Sequence, residues 1–267
     1  MKIALTGKTM TYLSGQPLYV YEVAREMKRL GLDVSVVSVW ANNELKQNLI
    51  KIGVPCMTDS IEEYDVAFIS EMDYGIQTKK KIQIVHSEYD CETPIEGMDG
   101  YVCIRPEIQE HIIREHTIPR EKTIVIYNGV DMERFKPIQK QERNYTKVVV
   151  PCTLDKLRER FLQEISKSRE DRRVFLIGDN YGANIPLRPF TFFHPSTFNI
   201  ERFIADADEV HGIHLGRVNL EAYACGVDSY IWNPVTLEKE KYKPKDFEKN
   251  HNIVNVVQQL LEYTKTI

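Results

Sequence analysis

Short apolar runs alternate with amphipathic stretches along this chain, and this alternation constrains the fold more than any other feature. The run KIALTG at 2–7 ends in glycine and is typical of a buried parallel strand. After a glycine-containing loop, apolar side chains such as Val23 and Met27 recur at helical spacing until Gly31, where the helix is expected to end. A second apolar run, at 33–40, follows directly. Strand, loop, helix and strand in this order predict a βαβ unit.

The same alternation continues to the end of the chain, with one interruption. The stretch KPIQKQERNYT at 136–146 is polar and is predicted to be a linker. Repeated βα order on both sides of it predicts an α/β protein with two Rossmann-like, doubly wound domains facing a central cleft. We place these domains at 1–138 and 145–267. The amphipathic final helix, at about 250–265, is expected to be free to pack back across the cleft.

Composition excludes several classes of protein. The chain has 267 residues, of which 35 are basic and 39 acidic, so its formal charge of −4 gives no electrostatic reason to expect nucleic acid as a partner. Its five cysteines include no CxxC pair, which argues against a disulfide framework or a structural zinc site. The N-terminus is not typical of a signal peptide, and no run approaches the roughly 18 apolar residues that span a bilayer. These features predict a soluble, cytoplasmic protein.

Polar side chains that follow predicted strands are candidates for ligand binding, because open α/β sheets bind ligands at the carboxyl ends of their strands. His86 follows one such strand, and both a structural and a ligand-binding role are open for it. Glu71, Asp73 and Glu88 also follow strands and could act as acid or base, but their spacing singles out no pair.

The segment HLGRVNLEAYACG at 214–226 carries the strongest chemical signal. Gly216 and Arg217 precede the first turn of a predicted helix, where backbone N–H groups and the helix dipole favour a phosphate. Glu221 lies further along the same helix among apolar neighbours, so we expect it to be partly buried. A carboxylate in this position can accept hydrogen bonds from a pair of sugar hydroxyls, as in dinucleotide-binding folds. The alternative is that Glu221 is an ordinary surface residue.

Several segments together resemble the retaining, nucleotide-sugar-dependent glycosyltransferases of the two-Rossmann GT-B type. YNGVDMERFKP at 127–137 is similar to the NGVD…F.P signature at the end of the first domain in that family. GRVNLEAYACG at 216–226 is similar to its EAxAcG helix, and the segment at 13–38 to its first loop, helix and strand. With VFLIGD at 174–179, the resemblance runs over nearly the whole chain, in the correct order and spacing.

The resemblance implies a donor site in the second domain. Glu221 matches the glutamate that holds the ribose of the donor. The backbone that cradles the diphosphate is matched by Gly216, Arg217 and Val218. The family usually has a second glutamate eight positions before the first, where this chain has Ile213. Handling of the donor sugar is therefore expected to differ from that of typical members.

The remaining site residues are also implied by the resemblance alone. Gly15 matches a first-domain glycine near the donor phosphates, and His86 falls near a histidine that faces the transferred sugar in several relatives. The basic pair that neutralises the diphosphate has no exact match in this chain. Lys156 and Arg158 lie slightly out of place for that role.

The function implied by these residues is transfer of a hexose from a nucleoside diphosphate sugar to an acceptor, with retention of configuration. No cofactor other than the donor substrate and no metal is expected, since no His, Cys or carboxylate cluster has ligand spacing. The acceptor could be a sugar, lipid or protein, and peripheral contact with a membrane is possible.

Two other functions stay open. The first is a catalytically inactive GT-B-like module that binds a nucleotide or a glycan. The second is another Rossmann enzyme, such as a sugar-nucleotide epimerase or an NAD-dependent oxidoreductase. The wide separation of Gly7 and Gly15 does not fit a dinucleotide fingerprint, which argues against NAD.

Overall fold

The chain forms two compact α/β units in its computed structural model. The residues that the structure describes are 1–7, 9–10, 13, 15–88, 93–167, 169–213 and 215–267. Unit 1 comprises 1–129 and 246–267, and unit 2 comprises 130–245. Each unit is built on a parallel or mostly parallel sheet whose strands are connected largely by helices. The predicted fold class, α/β with two doubly wound Rossmann-like units, is confirmed.

Unit 1 contains a seven-stranded parallel sheet. Its strands are β1 (Lys2–Thr6), β3 (Asp33–Val37), β5 (Cys56–Met57), β6 (Val66–Ile69), β7 (Lys81–Val85), β8 (Gly100–Cys103) and β9 (Thr123–Val125). Their spatial order is β5-β3-β1-β6-β7-β8-β9. Two further short strands, β2 (Thr9–Met10) and β4 (Trp40–Ala41), pair with each other. The central strands are buried along almost their whole length, which explains why they are continuous apolar runs in the sequence.

The helices of unit 1 are α1 (Gly15–Arg29), α2 (Asn43–Lys51), α3 (Pro106–His116), α7 (Phe247–His251) and α8 (Ile253–Thr266), with a 3₁₀ turn at Arg120–Lys122. Helix α2 begins after Asn42, whose side chain accepts a hydrogen bond from the backbone N–H of Glu44 at 2.8 Å. Pro106 occupies the first turn of α3, as predicted from the sequence. Among the described residues, no helix has the length and apolar character needed to cross a membrane.

Helix α8 belongs to unit 1, although the sequence placed it in the second domain. It packs beside α1, and most of its apolar residues are buried. The Tyr263 hydroxyl donates a hydrogen bond to the Lys122 carbonyl oxygen at 2.6 Å. A Cβ on Gly129 would lie 2.7 Å from the Ile253 Cδ1 atom and 3.0 Å from its Cα atom. Glycine at position 129 therefore lets the start of α8 approach the backbone closely.

Unit 2 contains a six-stranded sheet. The strands of unit 2 are β10 (Thr146–Pro151), β11 (Leu154–Asp155), β12 (Arg172–Ile177), β13 (Asn180–Tyr181), β14 (Thr191–His194), β15 (Glu209–Ile213), β16 (Asp228–Trp232) and β17 (Lys239–Lys241). Its helices are α4 (Glu159–Ile165), α5 (Glu201–Ala205) and α6 (Arg217–Ala224). The sheet order is β14-β12-β10-β15-β16-β17, with only β17 antiparallel to its neighbour, while β11 and β13 form a separate pair.

The predicted linker at 136–146 is part of unit 2, so the unit boundaries differ from the predicted 138 and 145. Two of its basic side chains, Lys140 and Arg143, are anchored to the segment that follows α5. Arg143 is largely buried and pairs with Asp206 at 3.0 Å, and Lys140 donates to the Ala207 carbonyl oxygen. Just before this stretch, Arg134 pairs with Glu201 at 2.9 Å. A polar composition suggested a linker, but these charges form ion pairs that fix the segment on unit 2.

Candidate functional site

The strand order of each sheet reverses at one point, and such switch points are where open α/β sheets bind ligands. In unit 2 the chain begins at β10, continues to one side through β12 and β14, and continues to the other side through β15 and β16. The switch point therefore lies between β10 and β15. The segment after β10 contains Lys156 and Arg158, and the segment after β15 leads into α6. The fold thus brings both predicted donor-binding segments of unit 2 to adjacent strands.

The start of α6 is held tightly against the sheet. Gly216 is the N-cap residue, and its backbone N–H donates to the Asn219 Oδ1 atom at 3.1 Å. The Asn219 Nδ2 atom donates in turn to the Ser229 hydroxyl at 2.8 Å. A Cβ on Gly212 would lie 3.0 Å from the Val218 Cγ1 atom. Asn219 was missed by the sequence analysis, because the usual capping box has Ser or Thr at the N-cap and Glu or Gln three residues later, whereas this helix has Gly216 and Asn219.

Arg217 and Glu221 form a buried ion pair one helical turn apart. The Arg217 Nε atom donates to the Glu221 Oε1 atom at 2.6 Å, and both side chains are only 5% exposed. Burial of Glu221 agrees with the expectation from its apolar neighbours. The Arg217 side chain orients the carboxylate and compensates its charge. If Glu221 binds a ribose, it does so with a carboxylate whose Oε1 atom already accepts a hydrogen bond from Arg217.

Strand β15 carries a second buried polar group that the sequence analysis missed. The Trp232 Nε1 atom donates to the His211 Nδ1 atom at 2.7 Å, and His211 Nε2 lies 2.8 Å from the Glu209 Oε2 atom. An indole can only donate, so Nδ1 accepts and the Nε2–H group donates to Glu209. Burial lowers the pKa of His211, which keeps the ring neutral. This network fixes the strand that leads into α6.

Lys156 and Arg158 lie beside α4, and each forms an ion pair with a nearby carboxylate. Lys156 pairs with Glu159 at 2.9 Å and is 68% exposed, while Arg158 pairs with Asp155. Ion pairs at such exposed positions contribute little to stability, so they leave the lysine able to reorient. The backbone before them is closely packed, because a Cβ on Gly178 would lie 1.8 Å from the Cys152 carbonyl oxygen.

His86 and Gly15 lie in unit 1. His86 follows β7, where its Nε2 atom lies 3.3 Å from the Ser70 hydroxyl oxygen and its ring contacts Tyr19 edge-on, with centroids 5.1 Å apart. Burial lowers the pKa of His86 to about 4, so the ring is neutral at physiological pH. Gly15 is the exposed first residue of α1, and a Cβ there would meet no atom within 4 Å. Much of the loop before it, including Ser14, lies outside the described residues.

The described residues contain no group of three or more His, Cys, Asp or Glu side chains that could hold a metal ion. Of the other carboxylates singled out after strands, Asp73 pairs with Lys81, and Glu88 is exposed. The candidate site residues of unit 2 therefore consist of a helix start, a buried Arg–Glu pair and two basic side chains after the neighbouring strand.

A two-unit α/β protein with polar groups at its switch points belongs structurally to the class of two-Rossmann folds. No protein-family model and no curated protein sequence matches the chain.

Solved structures match it over nearly its whole length. Anabaena Alr3699/HepE, in complex with UDP and glucose, matches with a TM-score of 0.74 and 13% identity over 100% of both chains. A glycosyltransferase from Rickettsia africae ESF-5 matches with a TM-score of 0.71 and 12% identity over 99% of this chain and 97% of its own. A putative UDP-N-acetylglucosamine 2-epimerase from Listeria monocytogenes matches with a TM-score of 0.54 and 10% identity over 99% and 88%. At these identities the matches establish a shared fold.

Proposed function

We propose that this protein is a glycosyltransferase that moves a sugar from a nucleoside diphosphate sugar to a hydroxyl-bearing acceptor. The observation that carries the proposal is the arrangement at the switch point of unit 2. The segment with Lys156 and Arg158 and the segment that starts α6 follow the adjacent strands β10 and β15. Backbone N–H groups and basic side chains there suit a diphosphate, and a buried carboxylate one turn into the helix suits a ribose.

The roles of the residues follow from their chemistry. The N-terminus of α6 stabilises the negative charge of the diphosphate through the backbone around Arg217 and Val218. The Gly216 N–H is bound to Asn219, so a phosphate would compete for it. Lys156 turns from Glu159 toward the leaving group, which its own exposure permits, while the half-buried Arg158 contributes its positive charge from its position beside Asp155.

The sugar-side roles belong to Glu221 and His86. Glu221 accepts hydrogen bonds from the ribose hydroxyls, and Arg217 keeps its carboxylate charged and oriented. His86 is neutral and so forms hydrogen bonds with the transferred sugar rather than offering a positive charge. Unit 1 accordingly serves as the acceptor side and unit 2 as the donor side.

In the proposed reaction, the bond from the anomeric carbon to the diphosphate oxygen breaks, and a bond from that carbon to the acceptor oxygen forms. The acceptor proton leaves with the nucleoside diphosphate. By the resemblance of the NGVD and EAYACG segments to retaining enzymes, the sugar is a hexose and keeps its anomeric configuration. The structural neighbour in complex with UDP and glucose makes UDP-glucose the first donor to test.

The decisive experiment is titration of UDP by calorimetry into the wild-type protein and a Glu221→Gln variant. Glutamine retains an oxygen for Arg217 but removes the charge that strengthens hydrogen bonds to the ribose. Because such bonds contribute about 1.5–3 kcal/mol when charged and about 1 kcal/mol when neutral, UDP binding should weaken on the order of 10-fold. Glutamine is preferable to alanine, which would leave Arg217 buried beside a cavity.

Glu164→Gln is the matched control, since Glu164 is a helical glutamate of unit 2 that pairs with the surface residue Lys167. It should leave the affinity for UDP unchanged, and urea unfolding should show both variants folded. Equal affinity of the folded Glu221→Gln variant and the wild type would remove Glu221 from the donor site. Retention is checked separately by the anomeric coupling constant of the product in an NMR spectrum.

The similarity to a putative epimerase supports a second candidate function. An epimerase would convert UDP-N-acetylglucosamine into its epimer without an added acceptor, whereas a transferase would release UDP when an acceptor is supplied. Product analysis by NMR separates the two. Binding of UDP with neither reaction would instead indicate an inactive nucleotide-binding module.

A further inference from the structure

Glu71 lies at the switch point of unit 1. The chain starts at β1, continues to one side through β3 and β5, and continues to the other side through β6 to β9. The reversal therefore lies between β1 and β6. Glu71 follows β6 by two residues, and Gly7 follows β1 directly. By the rule that applies to unit 2, this is where unit 1 is expected to bind its own ligand.

The backbone of Glu71 adopts a left-handed conformation, which is unfavourable for a residue with a side chain. Its φ angle is +65°, and the Met72 N–H donates to the Ser70 carbonyl oxygen at 2.9 Å across it. This is a three-residue turn of the rare, strained kind. Thr6 holds it in place, since its hydroxyl accepts from the Ser70 N–H at 3.2 Å and donates to the Met72 carbonyl oxygen at 3.3 Å. Glycine would adopt this conformation without strain.

The carboxylate of Glu71 has a buried oxygen that the protein does not satisfy. Its Oε2 atom is inaccessible to solvent and has no hydrogen-bond partner among the described residues. Burial raises the pKa of the neighbouring Tyr74, and the negative charge of Glu71 adds to this increase. The Tyr74 hydroxyl donates to the Gly7 carbonyl oxygen at 3.1 Å, so it is directed to the backbone after β1. A buried carboxylate oxygen without a donor is costly unless a ligand supplies one.

We propose that Glu71 binds the acceptor substrate by accepting a hydrogen bond from a sugar-type hydroxyl at the switch point of unit 1. The inference rests on the proposed transferase function and adds a residue to its acceptor side. The turn fixes the direction of the Glu71 carboxylate. The hydroxyl oxygen of the adjoining Ser70 lies 3.3 Å from the His86 Nε2 atom. Strained backbone of this type is often retained where function needs a side chain in that position.

The first test measures stability and needs no substrate. Glu71→Gly relieves the positive φ and removes the unsatisfied carboxylate, so the melting temperature should rise by about 2–4 °C. Glu63→Gly is the matched control, because Glu63 is exposed in the loop before β6 and is absent from the positive-φ residues. That control should not raise the melting temperature. A lower melting temperature for Glu71→Gly would show that the carboxylate stabilises the fold and would overturn the proposal.

The second test measures use of an acceptor. UDP release from UDP-glucose is followed with a panel of methyl glycosides as acceptor probes, for the wild type, Glu71→Gln and the control Glu63→Gln. Glu71→Gln should raise the KM for the glycoside about 10- to 100-fold, as expected for loss of a charge-assisted hydrogen bond. The affinity for UDP in calorimetry should not change, since the nucleotide binds to unit 2.

The outcomes separate this proposal from the proposed function. If the wild type does not bind UDP, the proposed transferase function fails. The melting experiment then still shows whether the Glu71 turn is strained. If UDP binds and Glu71→Gln uses the glycoside as well as the wild type does, only the role of Glu71 is overturned. If UDP binds and no glycoside accelerates its release, transfer to a glycoside fails, and the acceptor role of Glu71 fails with it.

Discussion

His86 and His211 are both neutral, but their surroundings determine this in different ways. His211 has both ring nitrogens bound inside unit 2, and the donor-only indole of Trp232 selects its tautomer. His86 lies at the end of a strand, where burial alone lowers its pKa to about 4. Its neighbour Ser70 carries a hydroxyl that can donate or accept, so either tautomer is compatible with that contact. His86 can therefore adapt its hydrogen bond to a ligand, whereas His211 cannot.

The low pKa of His86 should make stability depend on pH. In the unfolded chain the ring titrates near pH 6.5, so between about pH 6.5 and 4 the unfolded state binds a proton that the folded ring does not. The free energy of unfolding contributed by the neutral ring is thus fully present above pH 6.5 and decreases as the pH falls toward 4. We expect a His86→Asn variant to lose less stability than the wild type between pH 7 and 5, by on the order of 1–2 kcal/mol.

Urea unfolding at each pH measures this difference. His116→Asn is the control, because His116 is exposed in the last turn of α3. Identical pH dependence of the His86→Asn variant and the wild type would contradict a pKa near 4. The same result would weaken the proposed role of a neutral ring beside the transferred sugar.

The sequence predicted the positions of the candidate site better than its contacts. A Gly-Arg pair before an amphipathic stretch indicated the start of α6, and apolar neighbours indicated burial of Glu221. The pairing of Arg217 with Glu221 was not predicted, because helical spacing brings two side chains together without showing whether they bind each other or a ligand. Glu71 was one of three carboxylates noted after strands, but nothing in the sequence distinguished it from Asp73 and Glu88. A left-handed glutamate has no sequence signature, since its conformation is held by tertiary hydrogen bonds between Thr6 and the two residues that flank Glu71.

At the scale of elements, α8 shows how an amphipathic pattern predicts a helix but not its partner. Its apolar face was evident from the sequence, and the pattern would fit any hydrophobic surface. The absence of a Cβ at Gly129 allows Ile253 to approach the backbone there, and α8 packs against α1. The predicted linker failed for a similar reason. A polar stretch is a linker only if its charges remain solvated, and Lys140 and Arg143 are bound to the segment after α5.

The contribution of α8 can be measured with one substitution. Leu260 is fully buried within the apolar face of the helix. Leu260→Ala should lower the free energy of unfolding by about 2–5 kcal/mol, because the substitution removes apolar burial and leaves a cavity. Chemical denaturation measures the change. Gln259→Ala, at the exposed neighbouring position, should change stability by less than about 0.5 kcal/mol. Equal effects of the two substitutions would mean that α8 is not packed as described.

At the scale of the whole molecule, the two units differ in how the chain builds them. Unit 2 is one continuous segment, 130–245, with its own sheet and apolar core, whereas unit 1 is assembled from 1–129 and 246–267. The alternation of strands and helices predicted two such units because each βα repeat is a local pattern. It could not predict that one unit is interrupted, since that property depends on contacts between residues far apart in the chain.

This difference leads to an expectation for isolated fragments. The fragment 130–245 should fold alone and melt cooperatively, because its sheet and core are complete. The fragment 1–129 should be much less stable, since the apolar surface that α8 covers would be exposed to water. Adding a peptide of residues 246–267 should raise its melting temperature in a concentration-dependent manner. Calorimetry of the fragments tests this expectation. A stable fragment 1–129 whose melting temperature does not change when the peptide is added would contradict it.

The close approach of Ile253 to Gly129 also has a consequence for synthesis on the ribosome. Translation adds about 5–20 residues per second, so about 6–25 s separate the emergence of Gly129 from that of the helix that packs on it. During this interval the second unit can complete its sheet while the first still lacks its last helix. The order of folding is thus the reverse of the order of translation: the segment made first is completed last.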